Sequence, residues 1–224
     1  MLFKFTLRRI VYAIRRITLA KSFRLQSRKP PYAFSITENR IAIINYFAAE
    51  MRATNYLEIG CADNTVFSNI SVSNKVGVDP IMGGTYRGTS DNFFSQNSII
   101  FDLIFIDGMH TFEQVYRDVA NSLKSVKIGG YILLHDMLPK SYEEQLVPCS
   151  TLGPWTGDVW KLSFLLSDVE GLDFKIINDD HGLGVIRKIN ENVTMPGSEE
   201  FRDLDYDFYC ENIENLRIVK KENV

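Results

Sequence analysis

Cysteine is scarce in this sequence, and what there is lies scattered. The 224 residues contain three, Cys61, Cys149 and Cys210. An odd, widely spaced set makes neither a disulfide framework nor a cysteine-held metal site, and it fits a reducing compartment. Long apolar runs are missing too. Arginine pairs break every apolar stretch near the start well short of the roughly 18 residues that a spanning helix needs. No apolar core followed by a cleavage site marks a secretory signal. The expectation is therefore a cytoplasmic chain that neither spans a membrane nor is exported. Repeats and low-complexity tracts are absent as well. Acids are missing from one place only: residues 1–30 hold nine of the 25 Lys and Arg and none of the 28 Asp and Glu, which leaves the remainder at a formal −12, 16 bases against 28 acids.

What is present suffices for one globular domain, since 45% of the residues are hydrophobic and a chain of this length can bury a full core. The basic start reads as a separate unit, residues 1–29. Phe3, Leu7, Ile10, Val11 and Ile14 fall on one face of a helix and Arg8, Arg9, Arg15 and Arg16 on the other, an amphipathic cationic pattern. Two readings weigh equally for it, peripheral attachment to an anionic membrane on its inner face or a helix packed on the domain, with a transit peptide or a nucleic-acid arm as lesser alternatives. No nucleic-acid partner is expected. Pro30 and Pro31 make a stiff break, after which Thr37 can cap a helix carrying Ile41, Ile43, Ile44, Phe47 and Met51.

Glycine is thin where a dinucleotide site would need it. The run Tyr56-Leu-Glu-Ile-Gly-Cys-Ala-Asp-Asn-Thr65 reads as a buried strand, a small-residue turn and a new helix with Asp63 or Asn64 at its start. That arrangement builds an anion or cofactor cradle in doubly wound folds. A pyrophosphate fingerprint wants three glycines, yet Gly60 is followed by Ala62 and Thr65. Glu58 is instead placed to meet a cationic amino group, which S-adenosylmethionine carries and a pyrophosphate lacks. The next strand, Lys75 to Val78, ends in Asp79, whose carboxylate can accept both ribose hydroxyls of either cofactor.

Two further strand ends collect titratable groups. Phe101-Asp-Leu-Ile-Phe-Ile-Asp107 is a nearly continuous apolar run, as a central parallel strand requires. It delivers Asp107, then Gly108 and His110, to the ligand-binding edge. A helix over Thr111 to Val126 follows, closed by Gly129 and Gly130, and Tyr131-Ile-Leu-Leu-His-Asp136 brings His135 and Asp136 to the same edge. Such a group can form a divalent metal site or an acid/base pair. The plainer reading makes the aspartates caps of the following loops. His181, in the turn Asp179-Asp-His-Gly-Leu-Gly184, reads as structural.

Through Glu58-Ile-Gly-Cys-Ala-Asp-Asn64, Gly77-Val-Asp-Pro80 and these later segments, the chain resembles the class I S-adenosylmethionine-dependent methyltransferases. Within them it looks most like the bacterial group that includes metal-dependent sugar O-methyltransferases and cephalosporin-hydroxylase-like proteins. The similarity runs from about Asn55 to Lys188. It implies an α/β fold: a doubly wound, Rossmann-like, mostly parallel seven-stranded sheet with an antiparallel last strand and helices on both faces. It implies S-adenosylmethionine held by Glu58, Gly60, Ala62, Asp79 and Asp107, with Ser90 and Asp91 at the adenine. It also implies a divalent ion, magnesium or manganese, on Asp107 and Asp136. His135 stands where an oxygen ligand is expected, so it turns away, makes the site suit manganese or iron, or leaves it without metal.

Transfer of a methyl to an alcohol asks for alignment and for a base or a metal, and Asp107 or His110 can take the proton. The connection from Met137 to Trp155 is too long for an idle turn and reads as a substrate lid. Trp155 and Asp158 follow it, an aromatic beside a charge, as suits a sugar or glycan acceptor. Residues 30–190 are then the methyltransferase domain, and residues 191–224 an acidic, aromatic tail that packs on the domain or on a second copy. Two rivals stay open: a nicotinamide-dependent oxidoreductase, and a noncatalytic membrane-tethered binding protein with this fold.

Overall fold

One sheet of eight strands organises the chain in the computed structural model, which describes residues 24, 28–31, 33–34 and 37–224. Most of the expected N-terminal helix, residues 1–29, lies outside the described residues. The strands are β1 (Asn55–Ile59), β2 (Asn74–Asp79), β3 (Tyr86–Arg87), β4 (Phe101–Ile106), β5 (Val126–Leu134), β6 (Leu172–Ile177), β7 (Leu183–Lys188) and β8 (Ile218–Val219). They lie in the order β3-β2-β1-β4-β5-β7-β6-β8. The first five pair in parallel, and β7 runs antiparallel to both β5 and β6. All six residues of β4 are buried, because a central strand has a helical layer on each side of it.

Strand alternation sorts the side chains into two layers. Tyr56, Leu103, Phe105 and Leu133 face α1 (Arg40–Glu50), which contributes Ile43, Ile44 and Phe47. Leu57, Ile59, Ile104, Ile106 and Ile132 face the other way, onto α4 (Phe112–Ser125) and α5 (Lys161–Leu166). Shorter helices occupy the crossovers: α2 (Thr65–Ser68) and α3 (Ser90–Phe94), with α6 (Glu199–Arg202) and α7 (Tyr206–Asn212) after the last long strand.

Three local expectations are revised, and one left open is resolved. The cap of α1 is Asn39, whose side chain accepts from Ala42 N at 3.1 Å, while Thr37 donates to Asp179. The glycine pair Gly129 and Gly130 lies inside β5 and not after a helix end. The chain passes from α4 straight into strand at Val126, and the pairing with β4 is irregular between Phe101 and Leu103. The sheet has an eighth strand, two residues long, that pairs in parallel with β6 through Ile176 and Ile218. The tail packs on its own domain: Tyr206, Tyr209, Cys210 and Ile213 are buried in the larger core cluster. Tyr209 donates to the Pro139 carbonyl at 3.1 Å, and its ring lies 5.0 Å from that of the fully buried Trp160. Among the described residues no helix is long and apolar enough to cross a membrane.

Candidate active site

The carboxyl ends of β1, β2 and β4 open onto a cavity of about 590 Å³. Its wall runs from Gly60 and Ala62 past Asp79, Ser90 and Asp91 to Gln114 and Asp118, and on the other side to Asp107, Met109 and His110. Of the expected cofactor-binding residues, all but Glu58 line it. Gly60 has φ +88°, and a Cβ there would stand 2.2 Å from the Asp107 carbonyl oxygen, so only glycine lets the β1 turn lie against the end of β4. Asp79 fixes the turn from the neighbouring strand. One of its oxygens accepts from Ala62 N at 3.0 Å, and the other from Ile81 N at 2.8 Å and Met82 N at 2.9 Å.

Glu58 belongs to the opposite layer. It alternates with the cavity-facing Ile59, is fully buried, and accepts from the Tyr56 hydroxyl at 2.6 Å. Burial pushes its carboxyl up to about 7. The deep wall holds an acid that sequence reading passed over. Asp118 accepts from Ser90 Oγ at 2.5 Å and from Gln114 Nε2 at 3.0 Å, and its second oxygen is buried with no partner. Burial pushes it up to about 6. A legible signal existed, since Asp118 falls on the apolar face that Phe112, Val115 and Val119 define.

The titratable groups at the β4 and β5 ends do converge. His110 Nδ1 lies 2.9 Å from Asp136 Oδ2 and 2.9 Å from the Trp155 carbonyl, and Nε2 lies 3.4 Å from Asp107 Oδ1. His135 Nδ1 stands 3.2 Å from Asp107 and 3.0 Å from Asp136. These contacts are within ion-pair distance, yet neither ring nitrogen of His135 has an aligned hydrogen bond. Asp136 adopts φ 64°, a left-handed conformation that costs a non-glycine residue about 1 kcal/mol or more and recurs where a side chain must be aimed.

Two partners here were invisible from sequence patterning. Arg40, the first residue of α1, places Nη1 2.6 Å from Asp107 Oδ2. Its Nε and Nη2 lie 3.0 and 3.2 Å from the Asp180 oxygens. Asp180 comes from the β6–β7 turn, which also brings His181 to 6.3 Å, ring to ring, from His135. The electrostatics follow from this company. Burial opposes charge on every member, but His135, His110 and Arg40 hold Asp107 well below the usual carboxylate range. Against the same burial, Asp107 and Asp136 raise His110 to about 10.

The long connection from Met137 to Trp155 is tied down at its end. Trp155 Nε1 donates to the Leu146 carbonyl at 2.7 Å, and Leu152 is fully exposed. Gly157, at φ +62°, lies so close to the His110 carbonyl that a Cβ would overlap it at 1.6 Å. Asp158 has both oxygens engaged within the protein: one accepts from Phe112 N at 2.7 Å, capping α4, and the other meets Lys161 at 3.1 Å. Trp155, not Asp158, remains at the site, stacked on His110.

A family model described as a methyltransferase domain matches residues 46–137. No curated protein matches the chain. Among solved structures, a candidate O-methyltransferase from Klebsiella pneumoniae aligns with a TM-score of 0.54 at 13% identity, over 71% of this chain and 84% of that one. The O-methyltransferase of tomaymycin synthesis from Streptomyces achromogenes, in complex with S-adenosylmethionine, gives 0.52 at 10%, over 70% and 82%. A methyltransferase from Podospora anserina, bound to S-adenosylhomocysteine, gives 0.51 at 16%, over 69% and 80%. At these identities the likeness is one of fold.

Proposed function

We propose that this chain, a class I S-adenosylmethionine-dependent methyltransferase, methylates a hydroxyl oxygen of a sugar, glycan or other small molecule, with Asp107 and His110 as the reacting face. The observation that carries this reading is the single cavity that runs from Asp79 and Asp118 to Asp107 and His110. It joins an acid fit for a ribose to an acid/base pair at the far end. When bound there, S-adenosylmethionine supplies an electrophilic methyl carbon.

An acceptor hydroxyl is a poor nucleophile at neutral pH and needs its proton removed as its oxygen is alkylated. His110 is placed to receive it in its neutral form, which gains population as pH rises toward about 10. The two carboxylates beside its ring, Asp136 at Nδ1 and Asp107 at Nε2, stabilise the imidazolium that forms. Asp107 orients the ring and sets the negative side of the cavity. Trp155 covers the imidazole and offers an apolar surface to a sugar ring.

The donor set also fits a divalent ion in part. Asp107, His110 and Asp136 each offer an atom within 4.8 Å of the others, and His135 Nδ1 lies 3.2 and 3.0 Å from the two aspartates. Two carboxylates with imidazole suit manganese better than magnesium. A bound ion would lower the pKa of an acceptor hydroxyl.

Calorimetric titration with S-adenosylmethionine and with NAD tests the cofactor. Release of S-adenosylhomocysteine with a panel of hydroxylated sugars tests the reaction. Turnover by the wild type that is lost in Asp107→Asn and His110→Ala supports the proposal. Binding of NAD alone would favour the oxidoreductase, and binding of S-adenosylmethionine without turnover on any acceptor would favour the noncatalytic reading.

For residues 1–29 we propose attachment to an anionic membrane face, supported by nine basic residues without an acid in residues 1–30. Arg28, near its end, is held by Asp207 and Glu211 of α7, which would fix the segment to the domain. Cosedimentation with anionic liposomes should be lost on deleting residues 1–29, and unchanged cosedimentation would remove this attachment.

A further inference from the structure

We infer that the guanidinium of Arg40 occupies the cation position of the Asp107, His110 and Asp136 cluster, and so competes from within the chain with any divalent ion that binds there. Three observations converge on it. Asp107 has one oxygen turned toward the histidines, with His135 Nδ1 at 3.2 Å and His110 Nε2 at 3.4 Å. The other oxygen is the one left for an incoming cation, and Arg40 Nη1 sits on it at 2.6 Å. Arg40 is held there by its own anchor. Its backbone N–H donates to Asp180 Oδ2 at 2.8 Å, and its Nε and Nη2 reach the same carboxylate at 3.0 and 3.2 Å.

Charge agrees with position. The carboxylates of Asp107 and Asp180 both face the Arg40 guanidinium. A guanidinium stays charged at every physiological pH, so loss of a proton cannot release it from Asp107. A divalent ion must displace it. The displacement is feasible because the Arg40 side chain keeps 27% of its surface in water and could retain Asp180 as it swings away from Asp107.

This inference takes the cluster as a site for a cation but needs no turnover to be tested, which separates it from the methyl-transfer reading. Mn²⁺ binding is measured by calorimetry and by the loss of the free-ion signal in electron paramagnetic resonance, at fixed pH, on the full chain. Arg40→Ala and Arg40→Gln should each bind one Mn²⁺ about tenfold more tightly than the wild type or better. The gain should vanish when Asp107→Asn is added, and S-adenosylmethionine affinity should stay unchanged in the Arg40 single variants. Arg40→Gln keeps a side-chain donor for Asp180 and is the variant to read if Arg40→Ala does not fold. Equal or weaker Mn²⁺ binding in the Arg40 variants overturns the inference, as does the absence of binding in every form.

Discussion

The ring of Trp155 stacks on the imidazole of His110, with centroids 5.1 Å apart and planes 19° apart, while the Trp155 carbonyl meets His110 Nδ1 at 2.9 Å. One residue therefore fixes both the plane and the edge of the proposed base. Removing the indole frees the ring to tilt without touching the cofactor cavity's far wall. Trp155→Ala should lower turnover about 10- to 100-fold while leaving S-adenosylmethionine affinity within about twofold of the wild type. Parallel loss of cofactor binding would mean that Trp155 supports the fold and not the base.

His110 carries a pH signature. Burial opposes its charge, but Asp107 and Asp136 outweigh that and raise it to about 10, from an ordinary 6.5. A group whose folded pKa is raised contributes stability that is fully present below about 6.5 and is lost as pH rises through about 10. Only the neutral ring can accept a proton, so turnover should climb with pH toward the same value. A nuclear magnetic resonance titration of the ring, in chelator-treated protein, should show this pKa falling in Asp136→Asn. A rate that is level between pH 6 and 9 would instead assign the proton to Asp107.

Much of this was legible because strand ends are short-range features. The buried run ending at Asp107, the turn at Gly60 and the pair His135 and Asp136 each follow from a strand pattern and one terminal residue. Arg40 and Asp180 were not legible. They lie 140 positions apart and meet only because α1 packs over the sheet where the β6–β7 turn returns. Glu58 shows the opposite limit: its place in the motif suggested the cofactor, whereas the two-residue period of β1 turns its side chain to the Tyr56 layer. Asp158 likewise looked like a sugar contact by composition, and its carboxylate accepts from Phe112 N at the start of α4.

Asp79 is the acid on which cofactor affinity should depend most. Three backbone N–H groups, from Ala62, Ile81 and Met82, converge on its carboxylate, so it shapes the turn as well as facing the cavity. Asp79→Ala removes a charged acceptor and releases those donors, each such bond contributing about 1.5–3 kcal/mol. S-adenosylmethionine affinity should fall at least about tenfold. Calorimetry reads that loss directly, and an unchanged dissociation constant would place the ribose elsewhere.

Glu58 should act on stability and not on the reaction. It is fully buried, one oxygen takes the Tyr56 hydroxyl and the other has no partner. Burial raises it from 4.5 to about 7. The folded state thus holds a proton that the unfolded chain releases between those values, and unfolding free energy falls as pH rises from about 4.5 to about 7. The full effect is at most about 3 kcal/mol. Glu58→Gln keeps the shape and an acceptor for Tyr56 but cannot ionise. Urea unfolding at pH 5 and pH 8 should show the variant losing most of the pH dependence, with its gain over the wild type confined to the higher pH. An equal slope in both proteins would mean that Glu58 ionises without cost and that its buried oxygen is solvated.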